Sequence, residues 1–94
     1  MTHEEVAIAL REMEIAPEEY DELSDPAPLS VMEERLEKFK AKLKRRYRKV
    51  ARRLHPDTET GSAERFLLVK SVYELIQKME IEAKPKKVKI RIRL

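Results

Sequence analysis

The tripeptide His55-Pro56-Asp57 brings an imidazole and a carboxylate together directly after a long basic segment. Both groups form hydrogen bonds and pair with charge, so the tripeptide could bind a partner. Its placement is informative, because it opens the loop that should join two helices. A plainer interpretation is a helix C-cap followed by a turn, since Pro and Asp are ordinary turn residues.

The rest of the chain offers little for catalysis or metal binding. With two histidines and no cysteine, a transition-metal site is not expected, and disulfides and zinc-thiolate sites are excluded. His3 has no evident partner, and there is no Gly-rich phosphate loop or nucleophile arrangement. We therefore predict no cofactor and no enzymatic activity. No apolar run approaches the roughly 20 residues that span a bilayer. We expect no membrane association and a cytoplasmic protein, with the nucleus as the alternative in a eukaryotic or viral setting.

Charge is segregated along the chain, although the net charge is only +3. Residues 1–37 carry twelve acidic and two basic side chains, whereas residues 38–54 carry ten Lys or Arg and no acid. Such a basic run is usually a solvated face, and here it could also be an internal counterweight to the acidic N-terminal segment. If the acidic N-terminal segment folded over the basic run, the segment would mask the basic side chains from a partner. From the charge alone, we expect the partner of the basic run to be acidic.

The N-terminal segment should contain a short helix and a connector. Thr2 and Glu5 have the spacing of a capping box, in which each side chain satisfies a free backbone N–H, so a helix is expected to begin there. Pro17 permits only a fresh helical start. Residues 24–28 contain two prolines, which predicts an extended connector.

The middle of the chain predicts an all-α fold built on a helical hairpin. Ser30 and Glu33 have the spacing of a second capping box, which predicts a long helix over about residues 31–54 that Pro56 ends. After a polar loop, a further helix is expected over about residues 63–79. Two amphipathic helices joined by a short loop bury their apolar faces most simply by packing antiparallel, with the N-terminal helix against them. The apolar seam of the long helix comprises Met32, Leu36, Phe39, Leu43, Tyr47, Val50 and Leu54.

Beyond Pro85 the period changes, because apolar residues alternate with Lys and Arg as they do in a strand. An isolated strand cannot satisfy its own backbone. We expect this tail to pair with a sheet edge elsewhere, to pair with a second copy, or to stay disordered. The chain then divides into an N-terminal helix and connector (1–29), a helical hairpin (30–80) and a basic tail (81–94).

The sequence around the tripeptide resembles the J-domain family. The run Arg46-Tyr47-Arg48-Lys49-Val50-Ala51 is similar to the family's Ala-Tyr-Arg-Lys-Leu-Ala run at the same distance before its His-Pro-Asp motif. Phe66 and Tyr73 stand seven residues apart, as in the family's next helix. The resemblance covers about residues 31–79. It implies an antiparallel helix pair with His-Pro-Asp in the intervening loop.

The resemblance also implies a function, that of a co-chaperone that binds a DnaK-type chaperone and stimulates its ATP hydrolysis. In such proteins the positive face of the second helix approaches an acidic surface on the chaperone. Asp57 is then expected to pair with an arginine of the chaperone, with Pro56 directing it and His55 supplying a polar tip. The docking residues expected on the basic helix are Lys44, Arg45, Tyr47, Arg48, Lys49 and Arg52.

Several features depart from the family pattern, among them Thr58 and Leu67, which stand where the family often has Lys. The N-terminal helix lacks the usual Leu-Gly-Val ending, and the connector to the long helix is unusually long. Val72 stands where a small Ala normally lets the two helices approach closely, so we expect a wider crossing.

Two other functions fit parts of the sequence. A basic helix without acids is also typical of phosphate binding, and the basic residues of 84–89 add to a nucleic-acid-binding interpretation. The strand-like tail could instead make the protein an adaptor that adds a strand to a partner's sheet edge. Such an adaptor role is compatible with a J-domain, which must be brought to its client.

Overall fold

The computed structural model describes residues 2–55, 63–84 and 87–92 of the 94-residue chain. In that part the chain forms four α-helices, a 3-10 turn and a C-terminal β-hairpin. Their bounds are α1 His3–Glu12, α2 Pro17–Asp21, the 3-10 turn Glu22–Ser24, α3 Leu29–Leu54, α4 Ala63–Gln77, β1 Met79–Lys84 and β2 Lys87–Ile92. The predicted helical fold is confirmed, because the long α3 packs antiparallel on α4. None of the described helices is long and apolar enough to cross a membrane.

The helix α1 begins at the predicted cap and ends in a left-handed turn. The Glu5 backbone N–H donates to Thr2 Oγ1 at 3.1 Å, and the Thr2 hydroxyl donates to the Glu5 carboxylate at 3.2 Å. At the other end Glu14 has φ 57°, and the Ile15 N–H donates back to the Leu10 carbonyl at 2.9 Å. A glycine usually occupies this position, because a Cβ there costs roughly 1–2 kcal/mol. The turn directs the chain away from α1 toward α2.

Polar contacts of two side chains, His3 and Arg35, hold the region around α2. His3 Nε2 lies 2.9 Å from Asp21 Oδ1, so the expectation that His3 has no partner is wrong. The Arg35 guanidinium of α3 donates to the backbone carbonyls of Glu22 and Asp25, at 2.6 and 3.0 Å. The acidic N-terminal segment is therefore fixed along α3 rather than extended from it.

The start of α3 differs from the prediction. The helix begins at Leu29, and Pro28 is its N-cap residue without a side-chain cap hydrogen bond. The capping box expected at Ser30 and Glu33 is therefore wrong. The reason is that Pro28, with ψ 148°, already provides the extended backbone that precedes a first turn, and its carbonyl accepts the N–H groups of Val31 and Met32. Ser30 thus lies inside the helix.

The core lies where α1, α3 and α4 meet. The predicted seam of α3 is buried, except that Tyr47 is half-buried. Leu10, Leu43 and Ile76 are 0% exposed, and burying each such side chain stabilises the fold by about 1.5–3 kcal/mol. Val72 is also fully buried, so the core accommodates a β-branched residue where the J-domain pattern has Ala.

The C-terminal tail forms the second strand of an antiparallel hairpin. Its partner is β1, which begins at Met79. The helix α4 ends at Gln77, two residues before the expected end at residue 79. The register places Ile81 opposite Ile90 and Glu80 opposite Arg91. Glu80 and Arg91 form an ion pair. The Lys40 ammonium of α3 donates to the Met79 carbonyl. The strand expected after Pro85 thus pairs with the residues directly before it, which were expected to end the last helix and begin the tail, an arrangement that was not among the three outcomes expected.

Candidate functional site

His55 stands at the C-terminal end of α3, where the chain leaves the helix. Its backbone is extended, with φ −56° and ψ 136°, as expected for a residue before proline. The exposed imidazole meets the Phe66 ring of α4 edge to face, with 5.7 Å between ring centroids. Pro56 and Asp57, the rest of the predicted motif, lie outside the described residues. The structure therefore fixes the attachment point of the motif and the orientation of its first side chain.

Five cations form an exposed band on α3 that leads to His55, and we call this band the outer stripe. None of the five forms an ion pair within the described part of the chain. They sit on two successive turns of the helix, so their charges add to one local positive field. The outer stripe consists of Lys44, Arg45, Arg48, Lys49 and Arg52.

A second set of cations on α3 pairs with the acidic N-terminal segment, and we call it the inner arc. It consists of Lys42, Arg46 and Arg53. The Lys42 ammonium lies 2.9 and 3.0 Å from the two carboxylate oxygens of Glu19.

The other two members of the inner arc pair with residues at and after the end of α1. Arg46 Nη1 lies 3.1 Å from Glu14 Oε2, and Arg53 Nη2 lies 3.1 Å from Glu12 Oε2. None of the inner-arc residues was predicted to dock a partner. The N-terminal carboxylates therefore contact the basic helix beside the candidate docking residues rather than over them.

Glu12 also links α3 and α4, the two helices that precede and follow the tripeptide in the chain. One of its carboxylate oxygens pairs with Arg53 of α3, and the other lies 3.5 Å from Arg65 Nη1 of α4. The Arg53 guanidinium also donates to the Glu12 backbone carbonyl at 3.3 Å. The Glu12 side chain is only 23% exposed. The end of α1 thus contributes to the hairpin tip, a role that no local sequence pattern indicates.

Tyr47 lies on the opposite side of the apolar seam from the inner arc, against α4. Its ring stacks on Tyr73 with 4.1 Å between centroids and 8° between planes. Burial raises the pKa of the Tyr47 hydroxyl, and the Glu74 carboxylate and Tyr73 add to the rise. The hydroxyl is therefore neutral at ordinary pH and can donate a hydrogen bond. The stack holds α3 and α4 together next to the outer stripe.

Nothing in the described residues suggests a metal site, since no group of three or more His, Asp or Glu side chains is arranged to hold an ion. Comparison with protein families, with curated proteins and with solved structures finds no match to this chain. Interpretation of the site therefore depends on its own residues and geometry.

Proposed function

We propose that this protein is a J-domain co-chaperone that docks on a DnaK-type chaperone and stimulates its ATP hydrolysis. The observation that carries the proposal is the outer stripe, a band of exposed cations on α3 that leads directly to His55 and whose members form no ion pair with any other described residue. A positive band ending at a His-Pro-Asp sequence is the arrangement that the J-domain resemblance implies. Phosphate binding would need the cations but not the carboxylate of Asp57.

The ending of α1 adds support to this proposal. The family's Leu-Gly-Val ending has a glycine in the middle, and glycine suits a left-handed residue at a helix C-terminus. Here Met13-Glu14-Ile15 closes α1, and Glu14 has that backbone conformation with φ 57°. The sequence departs from the family at this position, whereas the backbone has the conformation that the family's glycine favours.

The proposed mechanism divides docking into two steps. The positive field of the outer stripe steers the encounter with an acidic surface and fixes its orientation, which favours a fast and transient complex. Asp57 then pairs with an arginine of the chaperone, where a charge-assisted pair is geometrically specific. The hydrolytic chemistry belongs to the chaperone, and this protein would favour its hydrolysis-competent arrangement.

The two other interpretations receive less support. Nucleic-acid binding would use all the cations of α3, but the inner arc is already paired with carboxylates. An adaptor that docks by its C-terminal strand would have to use the edge of β2 that does not face β1, because the other edge pairs with β1 along the length of the strand.

Neutralising two cations of the outer stripe is expected to slow association with a DnaK-type chaperone about tenfold at low salt. The reason is that electrostatic steering raises association rates above those of neutral surfaces by orders of magnitude. The variant is Arg45→Gln with Arg48→Gln, and stopped-flow fluorescence with the ATP-bound chaperone measures the rate constant.

The matched control removes two charges from the inner arc of the same helix, by Lys42→Gln with Arg46→Gln. These cations are already paired with Glu19 and Glu14, so we expect less than about a threefold change. Equal slowing by both double variants would contradict docking through the outer stripe.

A further inference from the structure

The inner arc is occupied by carboxylates at three points along α3. At a rise of 1.5 Å per residue, Lys42 and Arg46 are about 6 Å apart along the axis, and Arg46 and Arg53 about 10.5 Å. Glu19, Glu14 and Glu12 meet these three cations at 2.9–3.1 Å. The acidic segment thus follows one flank of the helix over roughly three turns.

Without those carboxylates, α3 would present a much wider cationic surface. At 100° per residue, the outer stripe covers about 140° of the helix circumference, and the outer stripe and inner arc together cover about 200°. A helix in the major groove of duplex DNA has phosphates on both of its flanks, because the groove is about as wide as a helix. An acidic patch on a protein needs only one flank. The width of the cationic surface therefore decides which polyanion α3 can bind.

The backbone at Glu14 is consistent with a role for its side chain. Glu14 has φ 57°, a conformation that favours glycine, and from that position its carboxylate reaches Arg46 at 3.1 Å. A glycine at this site would remove the strain of the positive φ, but it would also remove the ion pair with Arg46.

We propose that Glu12, Glu14 and Glu19 are specificity-determining residues. Their carboxylates occupy the inner arc, exclude the phosphates of nucleic acid from that flank of α3, and leave the outer stripe to an acidic protein partner. The inference goes beyond the proposed function, because it concerns affinity for nucleic acid rather than stimulation of a chaperone. The inference applies equally if the partner of the outer stripe is an acidic protein other than a DnaK-type chaperone.

The test is the triple variant Glu12→Gln, Glu14→Gln and Glu19→Gln, titrated into a fluorescently labelled duplex DNA of mixed sequence. Glutamine keeps the shape of each side chain and removes its charge. We expect the affinity to rise at least about tenfold over the wild type near 0.1 M salt. Three added phosphate contacts should also steepen the slope of log K against log salt by up to about 2.7.

The matched control is Glu4→Gln, Glu18→Gln and Glu33→Gln. It also removes three negative charges, but these three side chains form no ion pair with another described residue. We expect the control to raise the affinity less than about threefold. Equal gains in the two triple variants would overturn the proposal, because net charge alone would then explain them. The absence of a gain in both variants would also overturn it.

Circular dichroism verifies that the variants are folded. If the triple variant does not fold, Glu14→Gln alone should still raise the affinity measurably over Glu18→Gln, and equal affinities would again overturn the proposal.

Discussion

Replacing Asp57 with asparagine is expected to abolish the stimulation of ATP hydrolysis by a DnaK-type chaperone, while any binding of nucleic acid stays the same or becomes slightly stronger. Asparagine has nearly the shape of aspartate but cannot form a charge-assisted pair with an arginine. Loss of one member of a hydrogen-bonded charge pair at an interface costs about 2–5 kcal/mol, which is roughly 30-fold or more in stimulation. The steady-state ATPase rate and a duplex-DNA titration measure the two effects in parallel.

The control for this prediction is Glu59→Gln, the same change of charge two residues further along the chain. We expect it to keep most of the stimulation, because no role of Glu59 in docking is implied. Stimulation retained by Asp57→Asn would contradict the proposed pairing of Asp57 with an arginine of the chaperone. Because Asp57 lies outside the described residues, this prediction rests on the sequence and on the placement of His55 at the end of α3.

Replacing Leu43 with alanine is expected to lower the free energy of unfolding by about 2–5 kcal/mol. Leu43 is 0% exposed and belongs to the same core cluster as Val72 and Ile76 of α4. At about 0.05–0.15 kcal/mol per residue, a chain of 94 residues has a total stability of roughly 5–14 kcal/mol, so the loss is a large fraction of the total. Urea unfolding followed by circular dichroism measures the change.

Leu67→Ala is the matched control, because Leu67 is 59% exposed on α4. We expect its free energy of unfolding to change by no more than about 0.5 kcal/mol. Similar and small losses in both variants would contradict the packing of α3 on α4.

The helices of this protein could be predicted from the sequence because their apolar residues recur with helical period. The seam of α3 from Met32 to Leu54 is buried apart from the half-buried Tyr47, and α1 begins directly after its cap residue Thr2, as the capping pattern predicts. These signals are local and repeated. A long amphipathic helix before a proline has few other ways to bury its apolar side, which is why the antiparallel hairpin was also predictable.

The differences from prediction arise where a local signal competes with its surroundings. Ser30 and Glu33 have the spacing of a capping box, but Pro28 fixes the start of α3 first. In β1, Met79–Lys84 combines helix-forming residues with a period of two, and pairing with β2 decides in favour of the strand. Neither outcome follows from the segment alone.

The candidate site shows the same division between local and long-range information. The sequence locates the ten cations of residues 38–54 but does not indicate which of them are already paired. Glu12 and Arg53, for example, are 41 residues apart in the chain and meet at 3.1 Å. The division into outer stripe and inner arc depends on how α1 and α2 lie along α3, which only the folded structure reveals.

The most direct test of the central claim is single-turnover ATP hydrolysis by a DnaK-type chaperone, measured alone, with the wild-type protein and with His55→Gln. The claim predicts that the wild type accelerates hydrolysis and that His55→Gln, whose side chain lies at the tip of α3 against Phe66, does not. No acceleration by the wild type, or equal acceleration by both proteins, would contradict it.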